Sequence, residues 1–234
     1  MERSEGDKAA RVKSMFARIV PRYDLMNRLM TLGLDQRWRQ ATVTLAGPVD
    51  ELALDVATGT GDLALRLARR GWRRVVAVDF CSPMLAAASD KIASRGDGAR
   101  IAFAGADALR LPFAADTFDC VVNAFLLRNV ADLGAALREF HRVLRRGGRL
   151  VCLDLTHPPA PIKLPLALYR DAIVPLLGAA VGSDFDAYRY LGNSLKPYPD
   201  ARRLSEFLAQ AGFVRVDYRL HGLGAVAIHR GWKG

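Results

Sequence analysis

Two glycines set between carboxylates mark the place in this sequence where a charged small molecule could be held. The run Asp55-Val-Ala-Thr-Gly-Thr-Gly-Asp62 follows a short apolar stretch and precedes a helix-like one. Gly59 and Gly61 let the chain turn tightly and bring backbone N–H groups against a ligand. Gly59-x-Gly61-x-x-Ala64 satisfies the relaxed dinucleotide fingerprint, and Asp79, ending the next apolar run, could grip a ribose. Asp55 argues against a dinucleotide. A pyrophosphate beside that carboxylate is costly, whereas an amino group or a sulfonium there is favoured. Asp107, in Gly-Ala-Asp107-Ala108-Leu-x-Leu-Pro-Phe, can accept from an adenine amino group. A nucleoside with a cationic tail fits these residues, and S-adenosylmethionine (SAM) is such a molecule. Thr58 and Thr60 fit a turn or a ligand contact equally.

The elements that must position these residues follow from periodicity. Residues 7–45 read as helices, with Val12, Met15, Phe16 and Ile19 on one stripe. Pro21 interrupts the pattern, and Tyr23, Met26 and Met30 resume it. Strands are expected at Leu52–Ala57, Arg74–Asp79, Ile101–Ala104, Phe118–Ala124 and Arg149–Leu155. Between them lie helices at Asp62–Arg70 and from Ser82, and one through Leu133, Leu137, Phe140 and Leu144 stopped by Gly147-Gly148. This alternation implies a parallel sheet with helices on both faces. Residues 158–198 read as a helical insertion, followed by a helix at Ala201–Ala211. Strands at Val214–Leu220 and Gly224–Arg230 are joined so closely that they must pair antiparallel. The expected fold is α/β, the Rossmann-like class I SAM-dependent methyltransferase fold, with seven strands, mostly parallel, and a C-terminal antiparallel hairpin. That hairpin separates it from the dehydrogenase fold. Residues 1–234 read as a single methyltransferase domain: a helical lid (1–50), a cofactor-binding core (51–157), an acceptor-site insertion (158–198) and a terminal helix and hairpin (199–234).

Length and composition exclude other classes. At 234 residues the chain suits one α/β domain, and 51% hydrophobic content is that of an ordinary globular protein. No run of about 18 apolar residues could span a bilayer, and MERSEGDKAARVK lacks the apolar core of a secretory signal. The expected location is cytoplasmic. Cys81, Cys120 and Cys152 read as buried thiols, and the four histidines show no metal-ligand spacing. The formal charge of +10 suits an anionic membrane surface, yet only six of the 34 basic residues are Lys and the arginines are scattered over helical faces. A solvated surface accounts for them better than a nucleic-acid groove, so no nucleic-acid partner is expected.

The methyl acceptor is read from other segments. Thr117-Phe-Asp-Cys-Val-Val and Leu144-Arg-Arg-Gly-Gly-Arg-Leu fall at the spacing expected of SAM enzymes. Enzymes that methylate nucleic-acid amines often carry Asn-Pro-Pro-Tyr after the fourth strand; here that place reads Asn123-Ala-Phe-Leu-Leu-Arg-Asn-Val130. Attack by carbon or oxygen suits the site better, and the protein then need only align the nucleophile, expel water and remove a proton. The segment Lys13-Ser-Met-Phe-x-x-Ile-x-x-Arg22-Tyr23-Asp24-x-Met-Asn27-x-x-Met-Thr-x-Gly33-x-Asp-x-x-Trp38-Arg39 resembles the N-terminal signature of the ubiquinone/menaquinone biosynthesis C-methyltransferase family. Leu127-Arg128-Asn129-Val130, Tyr188-x-Tyr190-Leu-x-x-Ser194 and Ala227-x-His229-x-Gly231-x-Lys233 are similar to later segments of that family, so the likeness spans nearly the whole chain.

The resemblance implies methylation of a ring carbon in a prenylated naphthoquinol or benzoquinol, with demethylmenaquinol the favoured acceptor. Another small phenolic or lipid acceptor is the alternative, and a binding protein without turnover is the reading from a different class. The resemblance carries over Thr60, Asp79, Asp107 and Ala108 as SAM contacts and Arg128 and Asn129 as acceptor-site catalytic residues. Arg128 would stabilise the developing phenolate while water takes its proton. Arg22, Tyr23 and Asn27 read as a lid, or as a helix simply packed on the sheet. Ala124 and Leu126 stand where the family shows a small polar residue and Gly, which implies one cofactor hydrogen bond fewer and a more crowded acceptor pocket beside Arg128. Arg146 and Gly192 stand where Pro is common. The apolar stretch Leu164–Val181 could cover an isoprenoid tail, touch the inner face of the cell membrane, or pack in the core. A homodimer is left open.

Overall fold

In the computed structural model, which describes residues 5–48, 50–174, 176, 190 and 193–234, seven strands form one sheet in the order β3-β2-β1-β4-β5-β7-β6. Strands β1 (Leu52–Val56), β2 (Arg74–Asp79), β3 (Ile101–Gly105), β4 (Phe118–Ala124) and β5 (Leu144–Leu155) run parallel. The last two, β6 (Phe213–His221) and β7 (Val226–Lys233), pair antiparallel, and β7 enters between β5 and β6. The expected mostly parallel sheet with a terminal hairpin is therefore present.

Alternation along the strands divides the core in two. Leu54, Val121 and Leu150 point to one face, where Leu137 and Phe140 of α6 (Leu133–Val143) and Leu204 and Leu208 of α8 (Ala201–Gln210) cover them. Ala53, Val122 and Val151 point to the other, under Val43 of α3 (Leu34–Leu45) and Leu63 and Leu67 of α4 (Asp62–Arg70). A sheet buried on both faces needs such continuous apolar strands, so the buried charged residues within them stand out, Asp55, Asp119 and Asp154 among them. Asp55 lies within β1 at 1% exposure.

Before the sheet come α1 (Glu5–Ile19), a 3-10 turn at Val20–Arg22 and α2 (Tyr23–Thr31). Pro21 produces that turn, as its interruption of the stripe implies. Helix α5 (Ser82–Ala93) buries Met84, Ala88 and Ile92, and α7 (Ala160–Leu168) begins the insertion, followed by a π-helical turn at Tyr169–Ile173. Tyr188, Gly192 and most of the stretch from 175 to 192 lie outside the described residues.

Several boundaries differ from expectation. The helix expected to run to Gly147-Gly148 ends at Val143, and β5 starts at Leu144 instead of Arg149. The glycines sit inside the strand, at a shift in its register against β4 between Phe118 and Cys120. Gly147 is left-handed (φ 75), and a Cβ on Gly148 would lie 2.7 Å from the Arg145 carbonyl. They are a strand irregularity, not a helix stop. Likewise Gly224 (φ 86) belongs to the turn Gly222–Gly224, with β7 starting two residues later. The three cysteines are buried and free. Among the described residues no His/Cys/Asp/Glu group could hold a metal ion, and no helix is long and apolar enough to cross a membrane.

Candidate active site

Strand β1 has β2 on one side and β4 on the other, so the strand order reverses at its C-terminal end. Open α/β sheets bind ligands in the crevice made there. The loop leaving β1 has the backbone for close approach to a ligand, since Ala57, Gly59 and Gly61 are all left-handed (φ 56, 56 and 82). Two carboxylates fix it. Asp55 Oδ2 accepts from Thr58 Oγ1 at 2.6 Å and from the Ala64 N–H at 3.0 Å, tying the loop to the first turn of α4. Asp79 Oδ2 accepts from the Gly59 N–H at 2.9 Å, and its Oδ1 from the Cys81 N–H at 2.9 Å.

Above the loop lies a first cavity, walled by Gly59, Asp79, Asp107, Ala108, Met84 and Asn129 among others. Four of the expected cofactor residues thus meet in one wall. Three do not. Asp55 lies behind the loop. Thr60 donates to Asp24 Oδ1 at 2.6 Å. A Cβ on Gly61 would lie 2.9 Å from Ile92 Cδ1, so that glycine permits the close approach of α5.

A second cavity is lined by Asn27, Thr31, Arg128, Thr156, Lys163 and Tyr169, among others. Phe16, Tyr23 and Phe125 stand in the walls of both. Phe125 is left-handed (φ 59), with its N–H donating to the Leu153 carbonyl at 2.7 Å. The guanidinium carbons of Arg39 and Arg128 lie 5.4 and 5.5 Å from its ring centre. Such a strained residue at a partition between two cavities is typical of a functional site. The turn it makes separates its followers: Leu126 and Asn129 face the first cavity, and Arg128 faces the second. Leu126 therefore crowds the first cavity, not the second as expected. Tyr23 and Asn27 reach the cavities, whereas Arg22 lies in neither wall.

Sequence reasoning missed the groups that hold these residues. Arg128 Nη1 forms an ion pair with Asp154 Oδ1 at the end of β5, with the side chains 5% and 3% exposed. The position of Asp154 at a strand's C-terminal end was the available signal. Lys91 Nζ bridges Asp24 Oδ2 at 2.7 Å and Asp62 Oδ1 at 2.9 Å, which fastens α2 over the loop. Burial works against charge on Asp62, yet Arg39 and Lys91 hold its carboxyl below the usual carboxylate range.

Residues 4–233 match the ubiE/COQ5 methyltransferase family. The chain belongs to that family. A demethylmenaquinone methyltransferase of Roseiflexus castenholzii is 46% identical over 231 residues, 97% of this chain and 94% of that one. A ubiquinone/menaquinone biosynthesis C-methyltransferase of Desulfotalea psychrophila is 44% identical over 225 residues, 95% of this chain and 90% of that one. Among solved structures, a Haemonchus contortus phosphoethanolamine N-methyltransferase in complex with S-adenosyl-L-methionine superposes with a TM-score of 0.62 at 17% identity, covering 84% of this chain and 52% of that one. At that identity the likeness concerns the fold alone.

Burial raises the Asp55 carboxyl to about 7, against the opposing pull of the Thr58 hydroxyl and Arg39. A carboxyl raised in the folded state stabilises the fold fully below its unfolded value and loses that contribution as pH rises through about 7. The thermal midpoint of this ubiE/COQ5 member should therefore fall by several degrees more between pH 5 and 8 than that of Asp55→Asn, whose amide oxygen can keep both bonds. Parallel melting profiles for the two proteins would count against this account.

Proposed function

We propose that the chain is a SAM-dependent C-methyltransferase of quinone biosynthesis, converting demethylmenaquinol to menaquinol, with SAM in the first cavity and the quinol ring in the second. The observation that carries this reading is the meeting of two cavities at Phe16, Tyr23 and Phe125, with a buried arginine on the acceptor side. The first cavity suits SAM. Asp79 offers acceptor lone pairs to a ribose, and the buried Asn129 Oδ1 has no hydrogen-bond partner among the described residues, so it can accept from a cationic tail. When bound there, SAM supplies an electrophilic methyl group. Arg128 holds the ring oxygen as phenolate charge develops, which pushes electron density onto the neighbouring carbon. A guanidinium has donors and no acceptor, so water takes the phenol proton. Tyr23 and Phe125 keep bulk water from the junction of the cavities, and the names of the relatives support a naphthoquinol as acceptor.

The described part of 1–50 acts as the lid, held down by Asp24, and the described part of 158–198 as the tail-binding side. On their outer surfaces α2 and α7 expose Leu25, Leu29, Leu164 and Leu168, beside Arg28 and Lys163. Their other faces line the second cavity through Asn27, Met30 and Leu166. This edge suits contact with an anionic bilayer from the cytoplasmic side, which would deliver a membrane-dissolved quinol to the cavity mouth. Purified protein with SAM and demethylmenaquinol in anionic vesicles should produce menaquinol, several-fold faster than in neutral vesicles. Failure to methylate any quinol in vesicles or detergent sinks the function; equal rates in both vesicle types sink the membrane contact alone.

A further inference from the structure

Thr156 has no part in the chemistry described so far. It follows β5, and its N–H donates to the Ala225 carbonyl at 2.8 Å, so the backbone is fixed there. The side chain is 2% exposed and stands in the wall of the second cavity. Its hydroxyl is buried without a hydrogen-bond partner among the described residues. The apolar residues of the same wall include Leu155, Leu166, Val174, Leu195 and Val226. A hydroxyl taken from water into such surroundings is destabilising unless something bonds it, and Val would fill the same volume without that penalty. The orphaned group is therefore out of place as packing.

Its position relative to Arg128 gives it a use. Thr156 and Arg128 line the same cavity, and Asp154, which holds Arg128, lies two residues before Thr156 near the end of β5. A ring carrying an oxygen at each end needs two separate polar groups in one cavity. Arg128 Nε is likewise buried without a partner among the described residues. The cavity thus holds two residues with unsatisfied buried polar atoms, Arg128 and Thr156, in one wall.

We propose that Thr156 is the second polar anchor of the acceptor site, bonding the ring oxygen para to the one that Arg128 holds. The cavity then selects para-dioxygenated rings over rings with a single hydroxyl. This rests on the quinol reading of the second cavity and extends it to the residue that discriminates among acceptors.

The test compares wild type, Thr156→Val and Thr156→Ser with two acceptors under reducing conditions: 1,4-dihydroxynaphthalene and 1-naphthol, each measured by equilibrium titration and by methyl transfer. For the dihydroxy ring, Thr156→Val should raise KM and Kd about tenfold, the worth of one hydrogen bond, with kcat changed less than about twofold. For the monohydroxy ring, wild type and Thr156→Val should be equal. Thr156→Ser should restore wild-type affinity, and the ligand-free thermal midpoint of Thr156→Val should match or exceed that of wild type. Equal loss on both rings, no loss on either, or no rescue by serine overturns the anchor. Preferential binding of the dihydroxy ring without methyl transfer leaves the anchor standing and overturns the methyltransferase reading, so the two failures are distinct.

Discussion

Arg128→Lys should lower kcat by about 10²–10³ while changing the SAM dissociation constant less than about twofold. The magnitude is that of removing one preorganised donor from a developing oxyanion. The guanidinium is fixed on two sides, by the ion pair with Asp154 and by the Phe125 ring 5.5 Å away. A lysine keeps the positive charge but not the planar fork that meets a carboxylate and a ring oxygen together, so the exchange is not conservative. Arg128→Ala is the harsher change, because it leaves the Asp154 carboxylate buried and unpaired, a loss of about 3–5 kcal/mol in stability. The double replacement Arg128→Met with Asp154→Leu removes both charges and should fold, bind SAM and remain inactive. Calorimetric SAM titration with single-turnover methyl transfer separates the outcomes. Collapse of SAM affinity in a folded Arg128→Lys protein would mean that the residue serves the cofactor; retained turnover would remove it from the acceptor site.

The contrast between what the sequence displayed and what it hid follows from the range of the interactions. Helix α4 and strands β2 and β4 were legible because their boundaries are set locally, by Gly71 and by short runs centred on apolar residues. The terminal hairpin was legible because three residues cannot carry a parallel crossover. The position of β7 between β5 and β6 was not, since it rests on pairing across about 75 residues of chain. Within the site, Asp79 and Asp107 could be picked out because a carboxylate at or just past the end of a strand faces the crevice wherever the sheet is parallel. Asp55 was picked for charge beside the ligand, but its β1 position points it behind the loop, where it binds Thr58 and Ala64. Asp154 lies near the end of β5 and so carried the same signal as Asp79, and Asp24 stands in the N-terminal signature. Their pairings with Arg128 and Lys91 join residues far apart in the chain, so no local pattern marks those contacts. The pair Arg128-Asn129 read as one unit, yet one left-handed residue, Phe125, begins a turn that sends the two side chains to different cavities.

Asp79→Ala should weaken SAM binding about 100-fold and leave kcat at saturating SAM within a few-fold of wild type. Each hydrogen bond to a charged group is worth about 1.5–3 kcal/mol, and two to a ribose diol, at the low end of that range, give roughly that loss. The carboxylate is 6% exposed, and burial raises its affinity for a proton while the N–H groups of Cys81 and Gly59 oppose that. Each oxygen already accepts one backbone N–H and keeps a lone pair for a ligand hydroxyl. Asparagine is therefore no substitute: its amide would set an N–H donor against the N–H of Gly59 or Cys81. Asp79→Asn should accordingly bind SAM no better than a few-fold above Asp79→Ala, which isolates the charge and acceptor pattern from side-chain size. S-adenosylhomocysteine, which has the same ribose but no sulfonium, should lose affinity by the same factor as SAM in both variants. A loss confined to SAM would assign Asp79 to the sulfonium, and a drop in kcat at unchanged affinity would remove it from the cofactor site.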